Sequence, residues 1–421
     1  MRNPQMTFDR TTKKAIRKDI YKVCAGEQTK IIMGEYAKSS KWKPEDIIKT
    51  ISEACLNKTS LEDICEVNTN PSADTVQRRI KRLQLDQIES LVNGWMSENI
   101  RRLKFHGNTH LAISIDFYQQ PYYGDPSKDW IIGTNRKQGT NYCICFVLVS
   151  VTTDKIRCPI YTKLVTKQEY SDKAGLLAKI FFQFPVNLKI KRVFLDRWFC
   201  ADCVLEFLED QGLEYVLPAK RVSSVKRSLA EVQACARNLA GLSGVNLNDK
   251  GRVGQWCRKR GLDTFKIKGI CLKKHGTPTN LVAVFVRVKT KNQVYGRRWT
   301  YTLFLYLTNC RVSDRYLVKL YSKRWIIETD IRCIKTFQAF TNSTSPQLRF
   351  LFFGLAVLFD LLWVIYSTLF NRLHESCDDN FINYSSLPIK QSDSLQFTAR
   401  KFLRLLRDDI CPFLSFRGGD A

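Results

Sequence analysis

Residues 350–370, FLFFGLAVLFDLLWVIYSTLF, form a predominantly apolar run of 21 residues. A helix of that length can cross a bilayer, and a helix that is apolar all round must be covered all round. Two architectures satisfy the run: a membrane span, or a helix at the centre of a core large enough to enclose it. Asp360 stands at its middle. A carboxylate at the bilayer centre costs about 2.5–3.5 kcal/mol on insertion scales, and no second span exists to pair with it. An enclosed core helix is therefore expected, and a chain of 421 residues can build the core. The first twenty residues contain no continuous apolar stretch of signal-peptide type, so an intracellular, cytoplasmic protein without a membrane partner is expected.

Charge narrows the partner. The chain carries a net charge of +27 and has a pI near 9.6, an excess that points to a polyanion, with nucleic acid first. Its fifteen cysteines are scattered along a large chain, which suits reduced, mostly buried thiols rather than a disulfide framework. Cys200 and Cys203 have metal-site spacing, but the second pair that a structural zinc needs is missing nearby.

Residues 1–105 read as a helical domain. PEDIIKTISEA, TSLEDICE and NPSADTVQRRIKRL are short amphipathic units separated by turn residues. In the third, Ser72 suits the N-cap, and Val76, Ile80 and Leu83 make an i, i+4, i+7 stripe. That spacing leaves Arg78, Arg79 and Arg82 outward. A helix, a turn and a second helix with outward arginines is the helix-turn-helix arrangement that enters a DNA major groove. A small bundle that binds nothing can carry the same pattern.

From residue 111 the period shortens to that of strands. LAISIDF, YCICFVLVSV and IRCPIYTKLV are strand-like, Tyr170 to Phe184 is helical, IKRVFLD is an apolar strand ending on Asp196, a helix follows to about Gln211, and LEYVLP is another strand. The order βββαβαβ predicts an α/β fold with a mixed sheet and flanking helices over 106–217. Composition then shifts. Between residues 220 and 300 nineteen Lys or Arg face only Glu231, Asp249 and Asp263. Three strand-like runs lie within it, so a basic β-rich insertion is expected over 218–309. Charges so poorly compensated favour DNA contact over a merely solvated surface, with Lys220, Arg221, Arg297, Arg298 and Trp299 as candidate contacts. Core character resumes over 310–372, with one helix expected at 313–337 and the apolar helix after it. A tail occupies 373–421, with a basic helix near 397–407.

Three acids occupy conspicuous places. Asp116 interrupts the first apolar strand, Asp196 ends another, and Glu328 lies on the late helix. An unpaired carboxylate on a buried strand is costly to desolvate. Convergence of all three on Mg²⁺ or Mn²⁺, held by hard oxygen ligands, would remove the cost. Two such ions suit in-line displacement at a phosphodiester. Asp125, Asp129, Asp202 and Asp330 remain alternative ligands at this level. In YSKRWIIETDIRCIK, residues 321–335, an unbroken helix would set Tyr321, Arg324, Glu328 and Lys335 within about 60° of one another. Arg324 and Lys335 would then hold DNA phosphates beside the metal carboxylate, and Tyr321 would donate a hydrogen bond to another.

The pattern Tyr321-x2-Arg324-x3-Glu328-x6-Lys335 resembles the Tyr-Arg-Glu-Lys signature of DDE transposases of the insertion-sequence-four-like superfamily. SIDFYQQPYYGD and FLDRWF resemble the first-Asp and second-Asp segments of the halophile insertion-sequence-three family. The likeness spans roughly 105 to 370. It implies an RNase H-like core with Asp116, Asp196 and Glu328 as catalytic metal ligands, and cut-and-paste cleavage and strand transfer using Mg²⁺. The implied partners are double-stranded DNA, as terminal inverted repeats and target, and a second copy of the chain in a dimer on DNA. In some relatives an insertion-domain Trp holds a flipped base, for which Trp256 and Trp299 are both in range. Trp198 departs from the family pattern, which often has a small residue there. A catalytically inactive or domesticated DNA-binding descendant is the alternative.

Overall fold

The computed structural model describes residues 10–378 apart from 35–40, 68–69, 104–110, 153–156, 185–187, 221–263, 274–275, 293–295 and 323, together with Phe402 and Leu406. Six helices come first: α1 (Arg10–Ala25), α2 (Glu27–Gly34), α3 (Pro44–Asn57), α4 (Leu61–Val67), α5 (Ala73–Arg82) and α6 (Leu85–Ile100). Ser72 caps α5, its side chain accepting from the Thr75 N–H at 3.3 Å. Val76, Ile80 and Leu83 are buried as expected. Arg78 and Arg82 are exposed, but Arg79 is not. It is only 9% exposed, and burial pulls its pKa down. Arg79 is three residues after Val76 and four before Leu83, so the helical period sets it on the edge of the apolar stripe rather than opposite it.

Among the described residues one sheet of nine strands follows. The strands are β1 (Leu111–Pro121), β2 (Ile131–Lys137), β3 (Thr140–Thr152), β4 (Arg157–Leu164), β5 (Ile190–Leu195), β6 (Glu214–Pro218), β7 (Thr264–Ile270), β8 (Thr279–Asn292) and β9 (Gly296–Thr308). Their order is β2-β3-β1-β5-β6-β9-β8-β7, with β4 also paired to β3. β1, β5 and β6 run parallel and the other pairings are antiparallel. β2 is absent from the sequence reading because IIGTNRK is mostly polar. A two-residue turn creates it: Gln138 and Gly139 both have positive φ, 48° and 87°, the backbone that twists a hairpin in the right sense. The basic region does supply three strands, and they continue the core sheet, since β9 pairs with β6 from Val216↔Thr308 to Pro218↔Tyr306.

Helices α7 (Lys167–Ser171), α8 (Lys173–Phe182) and α9 (Asp202–Asp210) lie in the first part of the core. The single helix expected at Tyr170–Phe184 is broken where Asp172 turns to cap α8, accepting from the Gly175 N–H at 2.9 Å. After β9 come α10 (Asp314–Ser322), α11 (Trp325–Phe337) and α12 (Pro346–Asp378).

The apolar run forms the centre of α12. The segment Pro346–Ser367 is long and apolar enough to cross a membrane, yet nearly all of it is buried inside the protein. Phe350 and Phe353 stack on Phe146 of β3 at 5.9 and 4.5 Å, and α3, α5, α6, α11 and β4 also pack against the helix. Each such side chain contributes about 1.5–3 kcal/mol by burial. The amino-terminal helices therefore share one core with the sheet. Gly354 is required at the α6 crossing, because a Cβ there would stand 2.5 Å from Val92 Cγ2. Asn93 fastens α6 to β4 by pairing both ways with the Thr162 backbone, at 2.8 and 3.0 Å. Of the expected carboxy-terminal basic helix only Phe402 and Leu406 are described, and both are buried.

Candidate active site

Sheet register brings the first two acids together. β1 and β5 are parallel, with Ile115 opposite Leu195, so Asp116 on β1 and Asp196, the first residue beyond β5, each follow a member of the same register pair. Asp196 lies just past the end of β5 and stands at the N-cap of a turn of 3₁₀ helix, Arg197–Phe199.

The third acid arrives from 132 residues away through α11. Arg324 stands at its N-cap and Glu328 in its first turn. The Arg324 guanidinium lies among all three carboxylates. Its Nη1 donates to Asp116 Oδ2 at 2.9 Å and stands 3.9 Å from Asp196 Oδ1, while Nη2 donates to Glu328 Oε1 at 3.3 Å. Asp116 is the most enclosed of the three, its side chain 15% exposed against 37% for Asp196 and 49% for Glu328. Burial raises the Asp116 pKa to about 6. Arg324 and the Phe117 N–H oppose that rise, and Asp196 and Glu328 add to it.

The expectation of one helix from 313 to 337 is corrected here. α10 ends at Ser322 and α11 begins at Trp325, so Tyr321 does not share a helical face with Glu328. Its side chain is buried, its ring packs 4.7 Å from that of Tyr306, and its hydroxyl donates to the Leu195 carbonyl at 3.4 Å. Burial drives its pKa upward. Tyr321 is therefore no phosphate donor in this arrangement; it buttresses the strand end that carries Asp196, and the Arg324 guanidinium rests over its ring at 5.6 Å. Arg324, also expected on phosphate, is engaged by the acids instead. Lys335 is exposed and free to meet a phosphate, with its ammonium 5.3 Å above the ring of Tyr118.

The alternative ligands are occupied elsewhere or stand apart. Asp125 is exposed and accepts from Ser127. Asp202 accepts from the Thr277 N–H at 3.0 Å. Asp330 is fully buried, 3.2 Å from Arg157 Nη1. The Asp129 carbonyl accepts from the Lys167 N–H at 2.7 Å, on the β2 side of the sheet. Among the basic candidates Lys220 is half-buried. Arg297, Arg298 and Trp299 lie on β9 opposite Lys291, Thr290 and Lys289, but their side chains, like Arg221 and Trp256, fall outside the described residues.

A divalent cation suits the chemistry of Asp116, Asp196 and Glu328, since all their donors are hard carboxylate oxygens. The arrangement itself closes on the guanidinium: among the described residues no three acidic, His or Cys side chains surround one common point. Arg324 thus offsets part of the carboxylate charge at the place a metal ion would take.

The profile of the transposase DDE domain family matches residues 110–358, from β1 into α12 and through all three acids. The chain belongs to this family. The chain also resembles a solved structure, the piggyBac transposase synaptic complex with hairpin DNA, at 11% identity and a TM-score of 0.51, over 100% of this chain and 84% of that one. Identity that low speaks to the fold alone, which is the expected RNase H-like mixed sheet with flanking helices. The Drosophila P element transposase strand transfer complex is 10% identical over 96% of this chain and all of that one, with a TM-score of 0.24, too low to bear on the fold. No curated protein matches the chain.

Two features of the site were not legible in the sequence. The packing of the Trp198 ring, 4.9 Å from Phe117, the neighbour of Asp116, has no local pattern. Lys173 carried no signal at all, and reaches the Trp198 carbonyl only through the fold.

Proposed function

We propose that this DDE transposase is a member of the insertion-sequence-four-like superfamily, close to the halophile insertion-sequence-three family, and that it cuts the ends of an insertion sequence and joins them to target DNA. The observation that carries the reading is the convergence of Asp116, Asp196 and Glu328 at one sheet edge, around a single cation. Asp116, Asp196 and Glu328 would hold Mg²⁺ or Mn²⁺, in our reading two ions, which when bound supply activation of the attacking oxygen and stabilisation of the leaving one.

The chain's own residues then have distinct tasks. Asp116 and Asp196 are fixed by strand register, so the acidic end of the site is set before DNA arrives. Glu328 is the most exposed acid and sits on the helix that also bears Lys335, which would hold the approaching backbone. Arg78 and Arg82, exposed on α5, would contact phosphates of the terminal repeat in the helix-turn-helix manner. The basic insertion would extend that electrostatic footprint. A second copy of the chain would bring the other end of the element.

Glu328→Gln tests the reading. The variant should lose Mg²⁺-dependent nicking of a duplex carrying the element's terminal repeat while binding it as wild type does. A protein that binds DNA but is not a nuclease would show no cleavage in either form, and that result would replace the transposase by a DNA-binding descendant.

A further inference from the structure

Two lysines meet beside Asp196 without an acid between them. Lys173, at the start of α8, donates to the Trp198 carbonyl at 2.6 Å, and Lys220, just after β6, donates to the same oxygen at 3.5 Å. Trp198 is two residues beyond Asp196. Its ring is held by Phe117, Tyr170 and Phe199 at 4.9, 4.7 and 4.8 Å, and the Lys173 ammonium lies 4.6 Å over that ring. The aromatic group is thus a post that keeps Lys173 upright.

Such a pair opposes folding. Burial and the neighbouring Lys220 pull the Lys173 pKa down to about 8. Among the described residues no carboxylate pairs with either ammonium. The nearby acids in sequence are committed elsewhere, Asp172 to the Gly175 N–H at 2.9 Å and Asp202 to the Thr277 N–H at 3.0 Å. Like charges packed together with one shared carbonyl mark a site whose partner is a ligand. Position identifies the ligand. β6 is the parallel neighbour of β5, so Lys220 emerges at the same sheet edge as Asp116 and Asp196. Successive residues of β1 point to opposite faces, which puts the Phe117–Trp198 group across the edge from Arg324.

We propose that Lys173 and Lys220 form a binding site for a DNA backbone phosphate flanking the scissile one, a proposal that rests on the transposase reading above. A strand crossing the sheet edge would have its reacting phosphate at Asp116 and Asp196 and the flanking phosphate between the two ammoniums, each donating to one oxygen.

The test is a Lys173→Met/Lys220→Met double variant, which keeps the aliphatic stems. Binding is measured in EDTA to a duplex carrying the terminal repeat, intact or with single methylphosphonates near the cleavage position. The variant should bind about tenfold more weakly near 0.1 M salt, with the slope of log K against log salt reduced by about one for each lysine. One methylphosphonate should weaken wild type and leave the variant unaffected. The melting temperature should stay level or rise, because a repulsion is removed, and Lys173→Arg/Lys220→Arg should retain binding. An unchanged salt slope, or the same methylphosphonate penalty in both proteins, would overturn the site. So would a lowered melting temperature with loss of binding in the Arg variant, since that marks a structural role. Lack of Mg²⁺-dependent cleavage by wild type would sink the transposase reading while leaving this binding result to stand or fall by itself.

Discussion

Arg324 and Asp116 are joined by a 2.9 Å charged hydrogen bond across 208 residues of sequence. The same guanidinium reaches Asp196 and Glu328, so one side chain offsets part of the charge of all three acids. Binding of a divalent cation to those acids must compete with it. Arg324→Met should therefore lower the metal-free stability, by about 1–3 kcal/mol for a part-buried pair, yet enlarge the rise in melting temperature on adding Mg²⁺. Thermal scans with and without Mg²⁺ check this. A Mg²⁺-induced rise no larger than that of wild type would show that Arg324 and the metal do not share the carboxylates.

Asp116 also predicts a pH dependence. Its folded pKa of about 6 lies above the ordinary 3.8, so ionising it disfavours the fold. Its contribution is most favourable below about pH 4 and is lost as pH rises through about 6. Asp116→Asn should accordingly match wild type near pH 4 and exceed it at pH 7.5 by an amount on the order of 3 kcal/mol. Urea titrations in EDTA at the two pH values measure the difference. An advantage that shrinks towards neutral pH would contradict the assigned burial.

Tyr321 separates a structural role from a DNA-binding one. Its hydroxyl donates to Leu195 inside the protein, so Tyr321→Phe should cost about 0.5–1.5 kcal/mol of stability and leave DNA affinity and its salt slope unchanged. Lys335→Met should do the reverse, lowering the slope by about one. Fluorescence anisotropy over a salt series distinguishes them, and a reduced slope in the Phe variant would restore Tyr321 to the DNA.

The acids were legible because each stands out locally: Asp116 and Asp196 in apolar strands, Glu328 in a spaced signature. What brings them together is register, Ile115 opposite Leu195, and register is a property of paired strands that one strand cannot display. The break between α10 and α11 was hidden because YSKRW has neither Gly nor Pro to announce it. Arg79 is enclosed along with Ile80 because both border the stripe begun by Val76, and spacing alone does not show how wide the packed face is. Lys173 and Lys220 are 47 residues apart, with no local pattern to link them.

Asp360, the acidic residue in the apolar run, shares its surroundings with Asp330 and Arg157. Arg157 Nη1 is 3.2 Å from Asp330 Oδ1, Nη2 donates to Cys333 at 3.4 Å, and the guanidinium lies 5.5 Å over the Trp363 ring. Neither oxygen of Asp360 has a hydrogen-bond partner among the described residues. Burial and the neighbouring Asp330 push its pKa well up, and burial lifts that of Asp330 to about 6. One guanidinium cannot balance two ionised acids at this depth, so Asp360 is the protonated one. Replacing it by the nearly isosteric Asn should then change stability by less than about 1 kcal/mol. Arg157→Met leaves Asp330 without its counter-charge and should cost about 3–5 kcal/mol. Adding Asp330→Asn should recover much of that loss, because the stranded charge goes with it. Urea denaturation of the three variants measures all these values. If Asp360→Asn costs as much as Arg157→Met, then Asp360 is ionised and Arg157 serves both acids, and the helix owes its place to an ionic triad rather than to apolar packing around a neutral carboxyl group.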